Sequence, residues 1–231
     1  MQKVVQTVTY GAAYINLLLK HRNDRAGRTY PRLKEGSDHA VFLIPGFLGP
    51  QSVMLPLELR FEHEGINAFT FDLGLYSTLP FFVIVRRITQ VIGMVRSLYP
   101  ELRRLDIVAH SMGGLIAEML ITGGHLDGFD TRLVTLGTPF MGTWAALMGC
   151  TISFSAYEML PVHPRYREQN GSRKRITAPF LSIAGDYDIL APAERCRHPD
   201  ALMMDMPVDH AGLILRKKVF HAAMDFITTA P

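Results

Sequence analysis

Leu105-Asp106-Ile107-Val108-Ala109-His110-Ser111-Met112-Gly113-Gly114-Leu115-Ile116-Ala117 is the stretch from which the rest of the chain is read. Its first half is short and apolar, as a strand buried on both faces of a sheet requires. Its second half, Met112 and two glycines followed by Leu115-Ile116-Ala117, is apolar throughout, as a buried helix is. One serine stands between them, in the pattern Ala109-x-Ser111-x-Gly113. A serine on so sharp a strand-to-helix turn is lifted out of the backbone at the mouth of a parallel sheet, the arrangement called a nucleophile elbow. The usual first residue of that pattern is glycine; here it is Ala109.

Around this stretch, composition sets limits. The chain has 231 residues, 48% of them hydrophobic, enough for one domain to bury a core without disulfides or metal. A net charge of +3 is too small for a nucleic-acid binder. Basic clusters at Arg86-Arg87, Arg173-Lys174-Arg175 and Arg216-Lys217-Lys218 read as solvated faces, or as weak attraction to an anionic membrane surface. Two cysteines, Cys150 and Cys196, make no metal-ligand cluster and are expected as free thiols.

Near the start, Gln6, Thr7, Thr9 and Asn16 interrupt the apolar run, so it is too polar to span a membrane. Gly11-Ala12-Ala13 precede its most apolar part, the reverse of a secretory signal. The chain is therefore expected in the cytoplasm, with contact to a membrane surface as a further option. Val4, Val8, Ala12, Ile15 and Leu19 share one helical face. A helix over 1–22 is expected, either packed on the domain or lying on a membrane.

Residues 22–38 read as a surface connection. Strands and helices then alternate. Strands are expected at 40–44, 67–71, 105–109, 133–136, 180–184 and 201–206. Helices are expected at 52–64 (stopped by Gly65), 80–99 (opened by Pro80), 112–122 (closed by Gly123-Gly124) and 213–227. The stretch 73–79 is a loop. Such alternation means a parallel sheet with helices on both faces, in a single domain. Residues 140–176, with Trp144, Phe154, Tyr157 and the polar run Arg165 to Arg175, break the alternation and read as an insertion.

A serine hydroxyl needs a base, a group to orient that base, and donors for an oxyanion. Sites in open α/β sheets form at the carboxyl ends of strands, so each partner should follow one. Asp186 and Asp188 follow the strand at 180–184. Asp186, directly after Gly185, suits the turn; Asp188, deeper in the loop, suits the orienting carboxylate. His210 follows the last strand, whereas His198 precedes that strand and His221 falls within the last helix. Asp209 is the alternative carboxylate. The order Ser111, Asp188, His210 differs from that of the two common protease types. The N–H of Met112 and the N–H of Phe47, in the loop Pro45-Gly46-Phe47-Leu48-Gly49, are the expected oxyanion donors. The helix starting near Met112 adds partial positive charge at the same place.

Val108-Ala109-His110-Ser111-Met112-Gly113-Gly114 resembles the elbow of bacterial serine lipases and esterases of the α/β-hydrolase superfamily. Leu133-Val134-Thr135-Leu136-Gly137-Thr138-Pro139 with Gly142-Thr143, and Glu158-Met159-Leu160-Pro161, are similar to segments beside the site in those enzymes. The resemblance runs from about Val41 to the C-terminus and is weakest over 50–100 and 145–175. It implies a three-layer α/β-hydrolase fold: a mostly parallel sheet of about six strands, trimmed at its start, with helices on both faces. It also implies hydrolysis of carboxylic esters or lipids through an acyl-enzyme, with 140–176 as lid or acyl-binding wall. The mechanism requires no metal or cofactor, although some relatives bind a structural calcium, for which no ligands can be placed in this sequence. One departure is Pro45-Gly46, where relatives carry His-Gly.

Phe47, Phe81, Phe82, Trp144, Phe154 and Tyr157 are candidates to line an acyl pocket. The expected partner is a small-molecule or lipid ester. Acyl transfer or thioester cleavage on the same triad is the alternative, and a non-catalytic lipid-binding module a further one.

Overall fold

The structure, a computed structural model, describes residues 33–166 and 174–229. The expected helix over 1–22, residues 22–32 of the following connection, residues 167–173 of the insertion, and Arg173 of one basic cluster lie outside the described residues.

Six strands form one open sheet, every pair parallel. They are β1 (His39–Ile44), β2 (Asn67–Thr70), β3 (Arg104–His110), β4 (Leu133–Leu136), β5 (Phe180–Gly185) and β6 (Leu202–Met206). Their order is β2-β1-β3-β4-β5-β6. The chain steps from β1 outward to β2, then returns past β1 to β3 and continues the other way. The reversal lies between β1 and β3, and such a switch point opens a crevice at the strands' carboxyl ends.

The helices are α1 (Leu55–His63), α2 (Phe81–Leu98), α3 (Met112–Thr122), α4 (Phe154–Glu158), α5 (Gly212–Leu215) and α6 (Lys217–Thr228). Strand side chains alternate between faces. Ala40, Phe42 and Ile44 of β1, with Leu105, Ile107 and Ala109 of β3, pack with α2 and α3. Val41 and Leu43, with Val108, Val134, Leu136, Leu181 and Ile183, pack with α1 and α6. Both faces are covered, which is why the strands read as continuous apolar runs. The ring of Phe42 stacks on Phe69 across β1 and β2, with centroids 4.8 Å apart.

Several expected boundaries move for local reasons. The helix expected from Ser52 begins as a 3-10 turn over Gln51–Met54, and α1 starts at Leu55, with Pro56 in its first turn. Pro80 stands just outside α2 as its N-cap. The 73–79 loop contains a 3-10 turn, Gly74–Thr78. The closing helix is two helices, because Arg216 is extended at φ −78 and ψ 129. At that break Arg60 takes the Ile214 and Leu215 carbonyls, at 3.2 and 2.7 Å, so they are satisfied without a continuous helix.

The central strand also carries a charge. Asp106 of β3 is fully buried. Its Oδ1 accepts Arg132 N–H at 2.8 Å, and its Oδ2 accepts Arg104 Nε at 2.9 Å and His39 Nε2 at 2.8 Å. Arg104 and Arg132 in turn donate to carbonyls at the C-terminal end of α6, including Ile227. The network ties three strands to the last helix at the amino end of the sheet, away from Ser111. Asp106→Ala is expected to cost about 3–5 kcal/mol by leaving buried donors unpaired. Denaturant melts of parent and variant measure this.

Within 140–176 the structure shows two 3-10 turns, Trp144–Met148 and Pro164–Tyr166, on either side of α4. The segment is pinned to neighbouring loops. Glu158 Oε2 accepts Phe81 N–H at 2.6 Å, Ser155 Oγ donates to the Ser77 carbonyl at 2.5 Å, and Thr143 Oγ1 donates to the Leu190 carbonyl at 2.5 Å. Cys150 and Cys196 are free thiols.

Candidate active site

Ser111 joins β3 to α3 with φ 53 and ψ −126. Only Leu48 shares a positive φ among the described non-glycine residues. An L-residue holds this backbone only when its surroundings over-determine it. Here the Ser111 N–H donates to the Leu136 carbonyl at 2.9 Å, and the Ser111 carbonyl accepts Thr138 Oγ1 at 2.9 Å. The glycines that follow are required by proximity. A Cβ at Gly113 would lie 2.6 Å from the carbonyl oxygens of both Ile44 and Pro45, and one at Gly114 would meet the Thr138 side chain. The elbow is thus wedged between the ends of β1 and β4.

The histidine and carboxylate meet. His210 Nδ1 lies 2.6 Å from Asp188 Oδ2. The Asp188 side chain is fully buried, and its other oxygen accepts the N–H groups of Leu190 and Ala191 at 2.9 and 2.8 Å. Three donors fix that carboxylate, a satisfied arrangement for a buried charge. The other aspartates are engaged elsewhere. Asp186 is exposed, with its N–H on the Met206 carbonyl. Asp209 Oδ1 accepts Gly212 N–H at 2.7 Å, at the start of α5. His221 is exposed on α6, and His198 is buried between Phe140 and Phe180. Gly137, at φ 60, makes room for the pair: a Cβ there would come within 2.9 Å of Asp188 Oδ2 and 3.3 Å of His210 Nδ1.

The loop expected to supply an oxyanion donor follows β1. Gly46 passes so close to the elbow that an added Cβ would meet Ser111 Cβ at 2.9 Å. Gly49 N–H turns back to the Gly46 carbonyl, and Leu48 N–H donates to Ser77 Oγ, both at 3.1 Å. The Phe47 N–H between them has no such bond among the described residues. Met112 opens α3, where first-turn N–H groups have no intrahelical acceptor. Of the two expected donors, Phe47 follows the glycine that abuts the elbow, and Met112 is the first residue after Ser111.

Three contributors were not read from the sequence. Ser77, buried, links the oxyanion loop to α4. Thr138 braces the elbow. His110 packs its ring against His210, with centroids 4.4 Å apart. Its only sequence signal is a polar residue ending an apolar strand. Burial, reinforced by the neighbouring His210, holds the His110 pKa well below its ordinary 6.5. The unfolded chain then takes up a proton that the native site refuses. Stability is expected to fall as pH drops below about 6.5, and His110→Phe should flatten that part of a pH–melting curve.

Of the aromatic candidates, Phe81 is a core residue, fully buried beneath the Arg165 guanidinium. Phe47 is half-buried against the same core. Phe82, Trp144, Phe154 and Tyr157 are exposed, together with Leu48, Leu75, Met148, Ile152 and Ile189. These residues come from the segments after β1, β2, β4 and β5, Phe82 on α2 and Phe154 and Tyr157 on α4. Leu75, Met148, Ile152 and Ile189 are each more than 80% exposed.

Sheet order, switch point and elbow together define the α/β-hydrolase fold. A profile described as the PGAP1-like alpha/beta domain matches residues 84–192, from α2 through the Asp188 loop. Among solved structures, the mature Bacillus licheniformis lipase BlEst2 is similar at TM-score 0.64 and 17% identity, covering 88% of this chain and 97% of that one. The Pyrococcus furiosus esterase Pf2001 is similar at TM-score 0.65 and 17% identity, with 84% and 82% covered. A monoacylglycerol lipase of Paleococcus ferrophilus follows at TM-score 0.57 and 15% identity, with 80% and 91% covered. No curated protein matches the sequence.

Proposed function

We propose that this protein is a serine carboxylic ester hydrolase acting on apolar acyl esters of the lipid class. The observation that carries this is the buried Asp188 carboxylate, 2.6 Å from His210 Nδ1, together with a serine held at φ 53 at the end of β3. Asp188 holds the imidazole with its proton on Nδ1, leaving Nε2 free to take the Ser111 proton. The hydroxyl oxygen attacks the ester carbonyl. The N–H groups of Met112 and Phe47 bind the developing oxyanion, aided by the N-terminal end of α3. His210 then gives its proton to the departing alcohol. Water, deprotonated by the same base, releases the acid and restores Ser111. No metal or cofactor enters these steps.

The lipid-class substrate is supported by the exposed apolar side chains on the loops around the elbow. Such patches on soluble proteins commonly serve interactions. The pinned part of 140–176 is the proposed acyl wall. One experiment tests the nucleophile and the acyl-chain preference. Labelling with a fluorophosphonate followed by peptide mapping should place the adduct on Ser111. A p-nitrophenyl ester series should favour medium or long acyl chains. An adduct on another residue would remove Ser111 from its role. A preference for acetate would remove the lipid class.

A further inference from the structure

We propose that His110 is a positioning residue, whose neutral imidazole locks the loop carrying His210 to the elbow carrying Ser111. This rests on the reading of Ser111, Asp188 and His210 as a triad. His110 ends β3, one residue before Ser111, and is 1% exposed. Its Nε2 lies 3.2 Å from the His210 carbonyl oxygen. A carbonyl only accepts, so Nε2 carries the hydrogen and donates. Its Nδ1 is buried without a partner among the described residues. An extra proton on Nδ1 would have no acceptor, so the ring is held in one tautomer and one charge state. The same ring lies against His210 at 4.4 Å. Its Nδ1 edge faces Gly46, where an added Cβ would stand 3.3 Å away. One side chain therefore touches all three loops that must agree: elbow, oxyanion loop and base loop.

This bond complements the one to Asp188. Asp188 grips the His210 ring at Nδ1; His110 grips its backbone. A ring held only at Nδ1 can swing about that contact. Held at both ends, it has one path toward Ser111. The ring facing it is uncharged, so the imidazolium formed in each turnover meets no second positive charge there.

Two substitutions separate donor from bulk. His110→Phe keeps an aromatic ring and removes the hydrogen bond; His110→Gln keeps an N–H donor at nearly the same reach. His110→Phe is expected to lower kcat about 30- to 100-fold with KM changed less than about two-fold, the signature of a displaced catalytic group. His110→Gln should stay within about five-fold of the parent enzyme. Full activity in His110→Phe, or an equal loss in His110→Gln, overturns the proposal. Histidine NMR supplies a readout independent of turnover and of the variants' folding. In the parent protein His110 should remain the neutral Nε2–H tautomer between pH 6 and 8; an Nδ1–H tautomer or a titration in that range overturns the proposal. If the parent labels with no fluorophosphonate and cleaves no ester, the esterase reading fails, and the NMR result still decides whether His110 holds the loop.

Discussion

Asp188→Asn is expected to lower kcat by about ten-thousand-fold, the scale seen when a triad carboxylate becomes an amide. The reason lies in the donors around it. Leu190 and Ala191 present two N–H groups to one Asp188 oxygen. Asparagine can satisfy both with its single carbonyl oxygen, which turns its NH2 toward His210. A donor there requires His210 Nδ1 to accept. The ring proton then moves to Nε2, the atom proposed to take the proton of Ser111. The base is lost while the fold remains, since size and both backbone bonds are kept. Steady-state kinetics and a melting curve on the same preparation measure the two effects apart. Activity within ten-fold of the parent would mean that Asp188 does not orient His210. The same measurement on Asp186→Asn and Asp209→Asn should show far smaller losses, because neither carboxylate is placed on His210.

Gly113→Ala is expected to damage both stability and rate. The new Cβ would stand 2.6 Å from two backbone oxygens, those of Ile44 and Pro45, and 3.0 Å from Ile44 Cγ2. Backbone at the end of a central strand cannot rotate away as a long side chain can. The start of α3 must move off β1, at a cost of about 1–3 kcal/mol for overpacking. That motion separates Met112 from Phe47, because the first rides on α3 and the second on the loop after β1. Losing one oxyanion donor costs about a hundred- to thousand-fold in kcat, so a loss of that size is expected. Gly93→Ala is the control. Gly93 is exposed in the middle of α2, and a Cβ there meets nothing within 4 Å. That change should stabilise the protein by about 0.5–1 kcal/mol through helix propensity alone. A Gly113→Ala protein with parental kcat would show that the elbow tolerates separation from β1, and the proposed oxyanion geometry would fall.

The apolar rim extends these expectations to substrate choice. Met148, Ile152, Ile189 and Leu75 sit on three different loops, far apart in sequence. Only the common direction of parallel strands brings them to one end of the sheet. Nothing in the spacing of these residues marks them as neighbours. The insertion was visible as a break in alternation. Its attachment through Glu158, Ser155 and Thr143 was not, because those bonds reach backbone groups 47–78 residues away.

By itself the sequence determined what depends on neighbours along the chain. Six apolar runs of strand length separated by helical stretches dictated a parallel sheet, and all six strands are there. Ala109-His110-Ser111-Met112-Gly113 dictated the elbow, because only glycine two positions after the serine lets a helix start so near a strand. Tertiary structure decided what depends on residues that meet only in space. It placed Asp188, rather than Asp186 or Asp209, against His210, since a carboxylate's partner is set by which loop folds over it. It broke the last helix at Arg216, where Arg60 satisfies the carbonyls that local propensity would have assigned to a helix. It put Phe81 in the core and left Phe82 outside, a difference of one position on a helix whose facing only packing defines. It also gave His110 a place between Ser111 and His210. A side chain at the variable position of a motif acquires meaning only from the loop that closes against it, 100 residues further along.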